Sequence, residues 1–171
     1  MKLKTLLSVS AIFIGYVINA QAIDTVKVNT NKQEIQIGKH VITSATKLEE
    51  ITKILGPADR IEKGVDYIYD KLGISFGGNE KGSVGAVVIS YNSDGDKKAS
   101  KEKYTHVLMI DKLTATEKTN AEDIKQHTDI KEMTCMGKKI CLSDPKNPGI
   151  AIVMGFNDNA LVTQLVFTFT K

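Results

Sequence analysis

The stretch that decides the fold is residues 150–169, IAIVMGFNDNALVTQLVFTF. Its two apolar halves are rich in β-branched and aromatic residues, which favour β-strands. The polar tripeptide at 157–159 between them is typical of a tight turn. In the second half, Leu165 and Phe167 fall on one face and Gln164 on the other. The pattern predicts two antiparallel strands that end the chain, in a sheet with one face in water.

The rest of the chain alternates apolar runs with polar turns, as expected for a succession of short strands. A lysine-rich loop at 92–103 separates two of the runs. Further strands are predicted, two within 26–41 and one each at 65–69, 73–76, 84–91, 104–110, 132–135 and 140–142.

The segment 47–55 has the pattern of an amphipathic helix. Apolar residues recur on one face at i, i+3 and i+7: Leu48, Ile51 and Leu55. Thr46 and Glu49 match a capping box, in which each side chain accepts a hydrogen bond from the other residue's backbone N–H. Gly56 is suited to end the helix, and Pro57 prevents its continuation. The sequence therefore predicts a helix over this segment.

A second, shorter helix is predicted from Asn120 to about His127, because Asn120 and Asp123 repeat the capping pattern. Strands are predicted after each helix, which indicates a helix-plus-meander pseudo-repeat between roughly residues 46–91 and 119–169. We therefore expect an α+β domain in which short helices pack on a largely antiparallel sheet.

The first 22 residues have the three parts of an export signal. Lys2 and Lys4 precede an apolar run of about 13 residues, shorter than the roughly 20 that span a bilayer. Ala20 and Ala22 then give the small-x-small pattern that signal peptidase recognises. We expect cleavage after Ala22, a single domain over 23–171 without a transmembrane span, and a periplasmic or secreted location.

The charge balance bears on the kind of partner. The formal net charge is +3 over 171 residues, and loss of the leader would bring it close to neutral, so nucleic acid is not an expected partner. Arg60 is the only arginine, which argues against a phosphate site. The lysines at 97–103 and 138–139 are expected in solvated loops; the alternative is weak contact with an acidic partner or an anionic membrane surface.

Cys135 and Cys141 are the only cysteines and lie close together in the sequence. In an oxidising compartment such neighbours most often form a disulfide. One alternative is a redox pair, although the spacing is not Cys-x-x-Cys. Another is a thiol–imidazole dyad of Cys135 with His127. We predict a structural disulfide that staples a hairpin.

The sequence contains no recognised catalytic motif such as G-x-S-x-G, H-E-x-x-H or a P-loop. His40, His106 and His127 are widely separated along the chain. The segment 92–96 resembles the start of a calcium loop, but its glycine is misplaced and Lys103 occupies the position of the bidentate glutamate. We therefore predict no catalytic residues, no cofactor and no metal.

Two segments carry a resemblance to known families: 47–58, KLEEITKILGPA, and 67–74, YIYDKLGI. They resemble uncharacterised exported bacterial proteins with a Leu-Gly-Pro / Tyr-x-Tyr-Asp-x-Leu-Gly-Ile pattern, some of which look like toxin-neutralising immunity proteins. More distantly they resemble the SmpA, OmlA and BamE family of outer-membrane assembly lipoproteins, whose helix-plus-sheet layout is shared with β-lactamase inhibitor proteins. The resemblance implies a helix on a sheet and no catalytic residues.

We therefore expect an exported, non-enzymatic protein of the bacterial envelope that binds another protein, as an inhibitor or immunity protein does. An exposed sheet face would supply the contacts, with Tyr67, Tyr69 and Tyr91 as candidate anchors if they face solvent. One alternative is an envelope or outer-membrane assembly factor. The other is an enzyme, which requires a concave pocket with convergent polar groups, around His106 or Asp111 for example.

Overall fold

The computed structural model describes residues 23–92, 97, 99–144 and 149–170. The predicted export signal and most of the calcium-like segment lie outside these residues. In chain order the strands are β1 Thr25–Asn29, β2 Glu34–Ile37, β3 His40–Ile42, β4 Arg60–Glu62, β5 Asp66–Tyr69, β6 Ile74–Gly78, β7 Val84–Ser90, β8 Val107–Ile110, β9 Leu113–Ala115, β10 Met133–Met136, β11 Ile140–Ser143, β12 Gly149–Phe156 and β13 Val162–Thr170. The helices are α1 Leu48–Leu55 and α2 Ala121–His127, with a 3-10 turn at Asp70–Leu72.

The strands form two sheets. The smaller sheet has five strands in the order β3-β2-β1-β8-β9, and the larger has eight in the order β10-β11-β12-β13-β7-β6-β5-β4. All pairings in the larger sheet are antiparallel, whereas β1 and β8 of the smaller sheet are parallel. The larger sheet consists of two four-stranded meanders that meet where β7 pairs with β13.

The predicted α+β class is wrong, because the two sheets dominate the fold. Strands account for 47% of the described residues and helices, with the 3-10 turn included, for 13%, and the two α-helices have eight and seven residues. The layer that packs on the larger sheet is mainly a second sheet instead of helices. Its central pairing joins Thr25 to Val107, and a contact between residues so far apart in the chain leaves no local sequence pattern.

The two α-helices begin in different ways, although the sequence predicts a capping box for both. The N-cap of α1 is Lys47, which makes no side-chain cap hydrogen bond, and the Thr46 hydroxyl instead accepts from the Thr43 N–H at 3.0 Å. In α2 the predicted box is present. The Asn120 side chain accepts from the N3 backbone, and the Asp123 carboxylate accepts from the Asn120 N–H at 2.8 Å.

The hydrophobic core lies between the two sheets. Val26 and Leu108 of the smaller sheet and Phe76 and Phe167 of the larger sheet are completely buried. They belong to one continuous cluster that also includes buried side chains of both helices, such as Ile124 of α2. Because successive strand residues point to opposite faces, the intervening residues of each sheet form its outer face.

Candidate functional site

The tyrosines predicted as candidate anchors are largely internal. Tyr69 is 2% exposed and donates its hydroxyl hydrogen bond to the Gly56 carbonyl at 3.1 Å. Tyr91 is 8% exposed and donates to the Ala115 carbonyl at 3.0 Å. Burial raises the pKa of Tyr69 to about 12 and also raises the pKa of Tyr91. Tyr67 is half-buried against the core. An anchor must face solvent in the free protein, and Tyr69 and Tyr91 do not.

The residues considered for an enzymatic pocket make structural contacts. The His106 ring packs edge-on against the Tyr104 ring, with centroids 5.6 Å apart. The Asp111 carboxylate accepts from the Thr30 N–H at 3.0 Å and from the Thr30 hydroxyl at 2.6 Å. Among the described residues, no group of three or more His, Cys, Asp or Glu side chains is placed to hold a metal ion.

Cys135 and Cys141 lie directly opposite each other in β10 and β11, and their Sγ atoms are 2.00 Å apart. The pair is therefore at disulfide distance across a hairpin. Cys141 is buried and joins the core cluster, whereas Cys135 is exposed. With both sulfurs in this pair, no free thiol is left for the Cys135–His127 dyad.

The candidate site is a row of apolar side chains across the outer face of the larger sheet. Leu142 of β11 lies opposite Val153 of β12, Val153 opposite Val166 of β13, and Val166 opposite Val88 of β7. Cross-strand partners share a face of the sheet. All four side chains are only partly buried, so the row forms a continuous apolar surface that reaches solvent.

The strand residues that surround this row carry no charge. On one side the cross-strand neighbours are Ala151, Thr168 and Ala86. On the other side a depression of about 630 Å³ is lined by Val153, Val166 and Gln164, and at its edge by Lys139 and Asp158, which form an ion pair at 3.1 Å. No residue in β6, β7 or β10 to β13 is charged. The strands therefore present an apolar, uncharged surface, and the two charges at its edge are paired with each other.

The other half of the outer face is covered. The row continues from Val88 to Ser75 and Ile68, which are 2% and 0% exposed. Arg60, the cross-strand partner of Ile68, donates from Nη2 to the Ala99 carbonyl at 2.6 Å. The end of the lysine-rich loop therefore lies over this part of the sheet and limits the open face to β7 and β11 to β13.

The four residues of this row were not predicted as a site, although the sequence contains their signal. One apolar face and one wet face were expected for the final strands. The segment IAIVM at 150–154 and the segment AVVI at 86–89 are apolar at successive positions, a pattern typical of strands that are apolar on both faces.

These features define the molecule as a mostly β protein of two packed sheets whose candidate site is a surface. The chain belongs to the family described as "Domain of unknown function (DUF7738)", whose family model matches residues 27–125, more than half of the chain. The match includes the first meander of the larger sheet, and the second meander, β10 to β13, lies beyond it. No curated protein matches the chain.

A solved structure is similar in fold, that of a DUF4309 family protein (YjgB) from Bacillus subtilis subsp. subtilis str. 168. The likeness covers 81% of this chain and 89% of that chain, with a TM-score of 0.50 and 5% sequence identity. At this identity the likeness concerns the fold alone. None of the described helices is long and apolar enough to cross a membrane.

Proposed function

We propose that this chain is an exported, non-enzymatic protein that binds another protein through the open part of its outer sheet face, as an inhibitor or immunity protein does. The observation that carries the proposal is the partly exposed row of Leu142, Val153, Val166 and Val88 in strands that contain no charged residue. Large contiguous apolar patches are rare on the surfaces of monomeric proteins and commonly mark interaction sites.

The size of the open face suits the centre of a protein–protein interface. Strands lie roughly 4.8 Å apart, so four adjacent strands give a face about 15–20 Å wide. A standard interface buries about 800 Å² per partner, with an apolar centre inside a polar rim. Here the strands would supply the centre, and the exposed turn at Asp158 and Asn159 would supply part of the rim.

The neutrality of the face predicts the chemistry of its partner. Apolar burial contributes about 25 cal/mol per Å² and does not need opposite charge. Since no charged side chain of β7 or β11 to β13 contributes to the face, we expect an apolar, neutral surface on the partner. The complex should then persist at high salt, where contacts between exposed charges are screened.

The experiment is an affinity pull-down from bacterial envelope fractions with cross-linking and mass spectrometry, washed at low and at high salt. The test variant is Val166→Lys, which places a charge in the centre of the row. The matched control is Val41→Lys in β3, because Val41 is 52% exposed on the outer side of the smaller sheet. Circular dichroism confirms that both variants fold.

We expect one stoichiometric protein partner that is retained at high salt by the parent chain and by Val41→Lys but lost by Val166→Lys. A partner that Val166→Lys retains would contradict the proposed surface. Recovery of only barrel-assembly components or lipid would favour the assembly-factor alternative over the inhibitor function.

A further inference from the structure

A groove lies on the inner side of the larger sheet, where α2 faces the β10–β11 hairpin. Its volume of about 480 Å³ is within the usual range of ligand pockets. The apolar lining comes from Ala121 of α2, Met133 of β10 and Phe156 of β12, together with Cys135 and Cys141. The groove is therefore floored by the disulfide and is open to solvent at the end of the sheet.

The groove runs beside an edge strand. β10 is the first strand of the larger sheet, and among the described residues no strand pairs with its outer side. An edge strand presents unpaired backbone donors and acceptors to an added strand. Met133 and Cys135 of β10 also line the groove, so an extended peptide that pairs with β10 would direct alternate side chains into it.

The charges around the groove favour an acidic group. Of the four charged side chains that line it, Glu122 is paired with Lys125, and Asp158 is paired with Lys139 at 3.1 Å. Lys138 is the lining charge that has no ion-pair partner among the described residues, and it lies in the exposed β10–β11 turn. Its ammonium group, on a flexible stem, suits a side-chain carboxylate of a ligand.

We infer that this groove binds an extended segment of a partner protein, which adds to the edge of β10, places an apolar side chain over the disulfide and sets an Asp or Glu carboxylate against Lys138. This site lies on the opposite side of the sheet from the outer-face row and adjoins it only at Phe156, Asn157 and Asp158. The inference rests on the proposed function for the premise that the partner is a protein. It adds the chemistry of a second contact with that partner.

The test uses a phage library of random decapeptides selected on the full chain. We expect the enriched peptides to carry an apolar residue with Asp or Glu within two positions. A fluorescein-labelled peptide of the best clone should bind the parent chain, as measured by anisotropy. Lys138→Glu should weaken its binding about fivefold or more, the upper range for one exposed ion pair, and Ala121→Trp, which fills the groove, should abolish it.

Two controls keep the result specific. Lys32→Glu makes the same charge change in an exposed turn of the smaller sheet and should leave peptide binding unchanged. Lys138 is exposed, so Lys138→Glu still tests the site if Ala121→Trp does not fold. The inference is overturned if no peptides are enriched, if the enriched peptides lack the acidic–apolar pair, or if Lys138→Glu binds like the parent chain.

The same peptide separates this inference from the proposed function. Val166→Lys should bind the peptide normally while losing the partner from the pull-down. If Val166→Lys loses the peptide, the peptide binds the outer face and the groove is not its site. If the pull-down yields no partner but the peptide binding depends on Lys138, the groove is supported as a peptide site and the proposed function of the outer face is contradicted.

Discussion

At the scale of single residues, Gly73 shows why the Tyr-Asp-x-Leu-Gly-Ile segment contains a glycine. It follows the 3-10 turn at Asp70–Leu72 with φ of 70°. A Cβ atom there would lie 2.3 Å from the Tyr104 backbone nitrogen and 2.7 Å from the Lys103 carbonyl carbon. The chain that returns from the lysine-rich loop therefore crosses directly over this position, and only glycine leaves room for it.

We predict that Gly73→Ala destabilises the fold by about 3 kcal/mol or more, because it combines a left-handed backbone with a clash against backbone atoms that cannot rotate away. Gly82→Ala is the matched control, since Gly82 has the same φ of 70° but nothing lies within 4 Å of the position that a Cβ atom would take. It should cost about 1 kcal/mol. Urea unfolding measures both, and equal losses would contradict the clash.

Asp70 and Arg60 form the contact that fixes the loop end on the sheet. Arg60 Nε lies 2.9 Å from Asp70 Oδ2, and Asp70 Oδ1 accepts from the Lys101 N–H at 2.7 Å. Burial by itself would raise the pKa of Asp70, but the hydrogen bonds from Arg60 and Lys101 outweigh it and hold that pKa below its usual range. Folding therefore favours the ionised carboxylate.

A carboxyl whose pKa is lowered by folding stabilises the protein at pH values above its unfolded-state pKa of about 4. This stability is lost as the pH falls through the lowered pKa of the folded state. We predict that Asp70→Asn destabilises the protein at pH 7 and that its difference from the parent chain shrinks towards pH 2. Urea midpoints at pH 7, 4 and 2.5 measure this. Arg60→Gln should also make the stability less dependent on pH. If the stability of Asp70→Asn depends on pH as strongly as that of the parent chain, Asp70 is not the group responsible.

At the scale of elements, the same local pattern produces a capping box in α2 but not in α1. In α2 the Asp123 carboxylate accepts from the N-cap N–H at 2.8 Å. In α1 the first turn is instead attached to the sheet, because the Leu48 N–H donates to the Gly82 carbonyl at 3.1 Å and Val84 N–H donates to the Thr46 carbonyl at 2.8 Å. Tertiary contacts replace the local cap.

This difference predicts unequal effects of removing the two acidic side chains. Asp123→Ala should destabilise the protein by about 1 kcal/mol, the usual cost of a lost cap. Glu49→Ala should change the stability by no more than about 0.5 kcal/mol, the usual limit for a surface substitution, since Glu49 is exposed in the first turn of a helix without a side-chain cap hydrogen bond. Thermal unfolding of both variants measures the effects. A larger loss for Glu49→Ala would show that the box forms in solution.

Local patterns predicted most elements, because turn residues and apolar runs act over a few positions. The helix segments at 47–55 and near 120–127 and the final hairpin agree with the structure within a few residues. The short strands β3, β4 and β9 were missed, since three residues such as Arg60–Glu62 hold no periodic signal. The candidate row was missed for another reason: Leu142, Val153, Val166 and Val88 become neighbours only through strand pairing.

At the scale of the whole molecule, the two sheets are joined by more than apolar contact. The hydroxyl of Tyr91, which directly follows β7, donates to the Ala115 carbonyl of β9 at 3.0 Å. The Ile150 N–H of β12 donates to the Thr30 carbonyl, just after β1, at 3.2 Å. Since one hydrophobic cluster also spans both sheets, neither sheet can separate without exposing the inner side of the other. That residues 23–171 form a single domain remains a prediction, and the contacts between the two sheets make it testable by unfolding.

We predict that both sheets unfold in one cooperative transition. Leu108→Ala in the smaller sheet and Phe167→Leu in the larger remove side-chain volume from completely buried positions, and Leu108→Ala should cost about 2–5 kcal/mol. Hydrogen exchange against urea, followed by mass spectrometry on peptides from β1–β3 and from β12–β13, reports each sheet separately. In a single cooperative unit, either substitution lowers the midpoint equally for both groups of peptides. If Leu108→Ala shifts only the peptides of the smaller sheet, the sheets unfold independently, and the larger sheet with its outer face would remain formed without the smaller sheet.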